Sequence, residues 1–124
     1  MRTQPTILIV DDFASTRKVV RSCLERAGFS VLEGTNGKDA MKILNQNSRI
    51  SLVVTDLNMP EMDGIQLTQE VRSHDAYGSV PILLLTTEMR SNRKEEALRA
   101  GATALLPKPF TVEAFLEVVQ KMLR

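Results

Sequence analysis

One feature constrains this chain more than any other: short apolar runs take turns with longer segments of helical period. The runs lie at 6–10, 30–33, 52–55, 81–85 and 103–106; the helical segments lie at 15–27, 38–45, 65–74, 93–100 and 111–124. The first, third and fourth runs are apolar at nearly every position. A strand covered on both faces reads that way, whereas a half-exposed strand alternates apolar with polar. In the segment 15–27 the residues Val19, Val20, Cys23, Leu24 and Ala27 recur at helical spacing, and Gly28 offers a left-handed stop. Asn36 and Gly37 form a turn into the second helical segment.

Strand-then-helix order repeated five times implies parallel strands joined by right-handed crossovers. The expected fold is α/β of the flavodoxin-like (βα)5 type: a five-stranded parallel sheet of order 2-1-3-4-5 with helices on both faces. The 124 residues are the usual size of one domain, and nothing is left over for a second. The expectation is a single domain over 1–124, with no output domain.

Charge and composition narrow the function classes. Sixteen basic residues stand against 15 acidic ones, with no Lys/Arg block, which argues against nucleic acid as a partner. No stretch approaches the roughly 20 apolar residues that cross a bilayer, so no membrane insertion is expected. The start, from Met1 to Pro5, lacks the apolar stretch of a secretory signal. Cys23 is the only cysteine, which excludes an internal disulfide and fits a reducing compartment. The expected location is cytoplasmic.

The polar residues fall in a pattern on this frame. Asp11 and Asp12 follow the first strand, Asp56 the third, Thr86 the fourth and Lys108 the fifth. Open α/β sheets bind ligands at the carboxyl ends of their strands, next to the point where strand order reverses. In the order 2-1-3-4-5 the first and third strands are neighbours, so the three aspartates should converge. Two carboxylates ~5 Å apart repel by about 3 kcal/mol at an effective dielectric of 20. Either protons or a cation must relieve that repulsion. The donors are oxygens, without His or Cys among them, which points to a hard ion such as Mg²⁺. Lys108 and Thr86 add a positive charge and a hydroxyl donor. Together these suit a phosphoryl group, and a carboxylate, here Asp56, is able to act as the nucleophile. Taken singly, each residue has a plainer reading: aspartates cap helices and turns, and a lysine is often just solvated. Several placements on one edge of one sheet make coincidence a poor account. His74, the only histidine, reads as a solvated residue at a helix end. Met59 and Met62, flanking the acidic loop, read as packing.

These residues carry a resemblance. Val10–Phe13 with its paired aspartates, the run 55–64 from Thr55 to Gly64, Leu85 with Thr86, the stretch 100–102 and the stretch 108–111 resemble the motifs of bacterial response-regulator receiver domains, most closely those of chemotaxis. They span the chain in the family's order. The resemblance implies that Asp56 accepts a phosphoryl group from a histidine kinase of the chemotaxis type, with Mg²⁺ as cofactor. Asp12 and Asp56 would ligate the ion directly with the backbone carbonyl of Asn58, and Asp11 through water. Lys108 would pair with phosphoryl oxygens after a cis Lys108–Pro109 bond, and Thr86 would move to the phosphoryl group. Asn58 and Glu88 stand where the family tunes phosphate lifetime. The implied protein is a stand-alone response regulator, a phosphoacceptor rather than an enzyme acting on outside substrates. Its implied partners are the kinase, a phosphatase and a downstream protein such as the flagellar motor switch, with the chain itself a monomer. Relay shuttle and phosphate sink are the competing outputs.

Two residues depart from the family pattern. Leu105 occupies a position, three before the lysine, that is usually aromatic. Pro107 lacks a backbone donor, which suits an edge strand or a strand end. Two rival classes fit less well. A haloacid-dehalogenase-like phosphohydrolase places a second acid two residues after its nucleophile, where this chain has Asn58. A flavin-binding module needs a small, polar phosphate loop after the first strand, where this chain has Asp11 and Asp12.

Overall fold

The apolar runs do form the centre of the molecule. The structure is a computed structural model, and it describes residues 4–89 and 91–124. The elements are β1 (Thr6–Val10), α1 (Ala14–Arg26), β2 (Ser30–Gly34), α2 (Gly37–Gln46), β3 (Ile50–Asp56), α3 (Gly64–Arg72), β4 (Ile82–Thr86), α4 (Ser91–Ala100), β5 (Ala104–Pro107) and α5 (Val112–Met122). The strands are parallel, in the order β2-β1-β3-β4-β5. The fold expectation is met. Of the N-terminal reading, Met1, Arg2 and Thr3 lie outside the described residues.

Side chains on a strand alternate between faces, and the core divides accordingly. Leu8, Val10, Val53, Ile82 and Leu84 pack with Ala40, Leu44, Ile65, Leu67, Val71 and Ala97 of α2, α3 and α4. Ile7, Ile9, Leu52, Val54, Leu83 and Leu85 pack with Val20, Leu24, Phe115 and Val119 of α1 and α5. Each Val, Leu, Ile or Phe so buried contributes about 1.5–3 kcal/mol before entropy is counted.

The helix ends follow from local chemistry. After α1, Gly28 takes φ +95°, its N–H donates to the Glu25 carbonyl and that of Phe29 donates to Leu24. This is the paired-bond stop that the glycine made possible. Asn36 caps α2, its Oδ1 accepting from Asp39 N at 2.7 Å. Asp63 and Gln66 form a reciprocal capping box on α3.

Several expectations need correction. Val19 is 68% exposed and Ala27 is also exposed, so the buried row of α1 is Val20 and Leu24 alone. Val19 lies one residue, or 100° of helix, away from that row. Cys23 is only half-buried, packed at the margin of the core. α3 ends at Arg72, short of His74. His74 is not free in solvent: its Nε2 lies 2.7 Å from Asn45 Oδ1, and its Nδ1 accepts from Ala76 N at 3.1 Å. Met59 is buried, as expected.

Candidate functional site: an acidic pocket at the carboxyl edge

Strand register brings the polar residues to one edge. Val10 pairs with Gly34 on one side and Thr55 on the other; Asp56 pairs with Leu85, and Thr86 with Pro107. The next residue along β1 is Asp11, and the next along β5 is Lys108. Carboxylate oxygens of Asp11, Asp12 and Asp56 all lie within 4.8 Å of one another. Lys108 Nζ donates to Asp56 Oδ1 at 2.8 Å and lies 3.9 Å from Asp11 Oδ2. The Lys108 N–H also donates to the Thr86 carbonyl at 2.8 Å, and the Lys108–Pro109 bond is cis. Five of the six residues singled out above thus come together around one edge. The sixth, Asn58, sits exposed two residues beyond Asp56.

The backbone around Asp56 leaves no slack. Gly64 N donates to the Leu57 carbonyl at 2.8 Å. A Cβ on Gly64 would lie 2.6 Å from the Asp56 carbonyl oxygen and 3.0 Å from Leu57 Cα, so the residue after Asp63 must be glycine for the loop to fold back on β3. Sequence reading includes Gly64 in a motif without showing this reason, because the clash involves a backbone seven and eight residues earlier. Leu57 N donates to the Leu85 carbonyl, extending the β3–β4 ladder past Asp56. Asp56 is therefore presented at the end of a strand whose ladder continues through Leu57 and whose following loop is tied back by Gly64.

The electrostatics are unbalanced. Among the described residues, three carboxylates cluster beside one ammonium that reaches two of them, Asp56 and Asp11, and both of these are buried. Burial holds the Asp11 carboxyl above its usual 3.8; the Phe13 N–H pulls it down, the Asp56 charge raises it, Lys108 lowers it and Asp12 raises it. The Phe13 N–H donates to Asp11 Oδ1 at 2.9 Å. Asp12 Oδ1 is buried with no hydrogen-bond partner among the described residues. A buried acceptor without a donor is costly, and a cation is the partner that removes the cost. An all-oxygen donor set with one orphaned oxygen fits Mg²⁺, which keeps several waters and takes few protein ligands.

Thr86 is fully buried, and its hydroxyl is already engaged. Oγ1 accepts from Glu88 N at 2.8 Å and lies 3.3 Å from the Glu88 carbonyl. That bond closes the turn between β4 and α4. For the hydroxyl to serve the pocket, the turn has to give it up.

The fold and the pocket together define an open α/β domain that collects carboxylates, a lysine and a hydroxyl at its switch point. The chain belongs to the response regulator receiver domain family, whose model matches residues 7–120. A chemotaxis protein CheY homolog of Campylobacter jejuni is 36% identical over 118 residues, covering 94% of this chain and 91% of the relative. The chemotaxis protein CheY4 of Vibrio cholerae superposes with a TM-score of 0.93 at 35% identity, over 97% of this chain and 99% of that one. The receiver domain of a Pseudomonas aeruginosa sensor histidine kinase, solved with a magnesium ion coordinated in its active-site cleft, gives a TM-score of 0.88 at 26% identity, covering 98% of both chains. Among the described residues, no helix is long and apolar enough to cross a membrane.

Proposed function

We propose that this chain is a phosphoacceptor of a two-component pathway, with Asp56 as the residue that carries the phosphoryl group. The observation that carries the reading is the contact of Lys108 Nζ with Asp56 Oδ1 at 2.8 Å, beside an Asp12 oxygen that is buried and unpaired. An Asp56 oxygen attacks the phosphorus of a phosphohistidine on the kinase. The P–N bond breaks, its electron pair returns to the imidazole, and a proton there completes the leaving group. Lys108 holds the Asp56 carboxylate in line and then faces the new phosphoryl oxygens. Thr86, released from Glu88, donates to another. Asp11, Asp12, Asp56 and Asn58 would hold Mg²⁺, which would supply positive charge to neutralise the phosphoryl oxygens. The magnesium in the cleft of the related Pseudomonas receiver supports that assignment.

In this reading the chain is not an enzyme with an outside substrate: it assists its own phosphorylation and dephosphorylation. It acts in the cytoplasm as a monomer, and its output is a protein that binds after phosphorylation. Likeness to chemotaxis regulators favours the flagellar motor switch as target. Leu105, half-buried against the core and without a hydroxyl, favours the second reading, a phosphorelay shuttle or phosphate sink. Phosphotransfer from a labelled histidine kinase tests the first claim. Wild type should acquire base-labile label, as an acyl phosphate does, and Asp56→Asn should lose at least 99% of it, on the order of the hundredfold or greater loss expected when a nucleophile is removed. Full labelling of Asp56→Asn sinks the assignment. Capture of a motor-switch protein only by the phosphorylated form, against phosphate passing on to a phosphotransfer protein, separates the two outputs.

A further inference from the structure

Asp12 poses a question of placement. Its Oδ1 is buried without a hydrogen bond, so no contact of that oxygen holds it where it is. Its position rests on its backbone, above all on the peptide plane joining Asp11 to Asp12. The carbonyl of that plane is Asp11 O, and Arg17 Nη1 donates to it at 2.6 Å. Arg17 is fixed in turn: its side chain is 14% exposed, and its Nε donates to Glu33 Oε1 at 3.1 Å. The remaining polar groups of Asp11 are held as well, its N–H by the Gly34 carbonyl at 3.2 Å and its Oδ1 by Phe13 N at 2.9 Å. The end of β1 is therefore clamped to the end of β2 and to the first turn of α1, and among the described residues Arg17 is the side chain that hydrogen-bonds the plane leading into Asp12.

We propose that Arg17 is a positioning residue for the cation pocket, acting through the Asp11 carbonyl to aim the Asp12 carboxylate. The inference rests on the Mg²⁺ site of the preceding section. A guanidinium suits the task because its planar fork serves two acceptors at fixed angles, here a carbonyl and a carboxylate, which a lysine does not reproduce. Groups that orient metal ligands without touching the ion typically change affinity 10- to 100-fold when removed. The sign is informative. Deleting a positive charge near a cation site favours the cation through charge alone, so a weaker site after deletion reports lost placement.

The test is Mg²⁺ titration by calorimetry of wild type, Arg17→Ala, Arg17→Lys, Arg21→Ala and Asp12→Asn, with thermal melts of each without metal. Arg21 is the internal comparison: it sits one turn further along α1 and bonds the same Glu33, but it does not touch Asp11. Expected is a roughly tenfold rise in Kd for both Arg17 variants, with Kd unchanged for Arg21→Ala even where its melting temperature falls as far. With an acyl phosphate as donor, the Mg²⁺ half-saturation of Arg17→Lys should rise while its plateau rate stays near wild type. Wild type that binds Mg²⁺, with both Arg17 variants binding as tightly or more tightly, overturns the role of Arg17 alone. Arg21→Ala weakened as much as Arg17→Ala overturns it too, since the helix-to-sheet tie then suffices. Wild type that binds no Mg²⁺ overturns the metal reading itself. Should Arg17→Ala fail to fold, Arg17→Lys decides.

Discussion

The two flanks of the acidic edge are held in different ways. On the β1 flank, the N–H, the carbonyl and the carboxylate of Asp11 each have a partner, and the strand beneath is buried from Ile7 to Val10. On the β5 flank, Lys108 arrives from an edge strand in which Ala104, Leu105 and Leu106 are half-buried and Pro107 is exposed. Among the described residues, the Thr86 hydroxyl is bound only to the backbone of its own turn. Beyond that turn, α4 buries Ala97, packs a partly buried Ala100 against the core and makes ion pairs at its outer side, with Arg93 at 3.6 Å from Asp63 and 2.8 Å from Glu96. Exposed pairs of that kind contribute little. A region with few buried apolar contacts opens at low cost. The paired aspartates of the cation pocket thus sit on the firmly held flank, and the flank that carries Thr86 and Lys108 is the one with freedom to respond.

The sharpest way to break this contrast uses two leucines in register. Leu84 on β4 and Leu105 on β5 are direct partners across the sheet; Leu84 is fully buried and Leu105 only half so. Leu84→Ala should cost about 3–4 kcal/mol, as for other fully buried leucines. Leu105→Ala should cost about 1–1.5 kcal/mol, since less area leaves water and an edge strand relaxes more easily. Denaturant melts give both values. Equal costs would show that β5 is as firmly packed as β4.

A smaller effect probes the pocket. At a Mg²⁺ concentration ten times Kd, binding to the folded state adds about 1.4 kcal/mol, which raises the melting temperature by roughly 5 °C for a domain of this size. Asp12→Asn should abolish the rise. The gain should also depend on pH with a definite sign. The Asp11 carboxyl is held above 3.8, chiefly by burial. In the metal-free protein its contribution to stability is fully present below 3.8 and is lost as pH rises through the folded value. Mg²⁺ needs the ionised carboxylate, so its stabilising effect grows across the same window in which the metal-free protein loses ground. A metal effect that is independent of pH across that window would remove Asp11 from the site.

Most of the architecture was legible from the sequence because it depends on residue type and spacing. Apolar runs mark the buried strands, and the order of elements places Asp11, Asp12, Asp56, Thr86 and Lys108 on one edge. What stayed hidden depends on contacts that residue type does not encode. Val19 matches the helical stripe in hydrophobicity, yet it falls on the flank of α1, since periodicity does not tell the buried row from its neighbour. The bond from Arg17 to the Asp11 carbonyl involves a backbone acceptor, which every residue possesses, so no signal in the sequence marks it. The same holds for Gly64 under the Asp56 carbonyl and for the bond between His74 and Asn45, whose partners lie 29 residues apart.

The smallest predicted effect lies on the rigid flank and tests whether its ion network matters beyond Arg17. Glu33, at the end of β2, receives both Arg21 and Arg17, and these bonds, that of Arg21 foremost, hold its carboxyl below the usual 4.5 against the opposing effect of burial. A depressed carboxylate contributes stability that is present above the unfolded value and lost as pH falls through the folded one. Glu33→Gln should therefore cost about 0.5–1 kcal/mol near neutral pH, the scale of a partly exposed pair. That cost should shrink to nothing as acid protonates the wild-type carboxyl. Because glutamine still offers an oxygen to the Arg17 Nε–H, the clamp on the Asp11 carbonyl survives and Mg²⁺ affinity should stay within about twofold of wild type, well short of the change expected for loss of an orienting group. A tenfold loss of affinity in Glu33→Gln would mean that the charge of Glu33, and not only its geometry, keeps Arg17 in place.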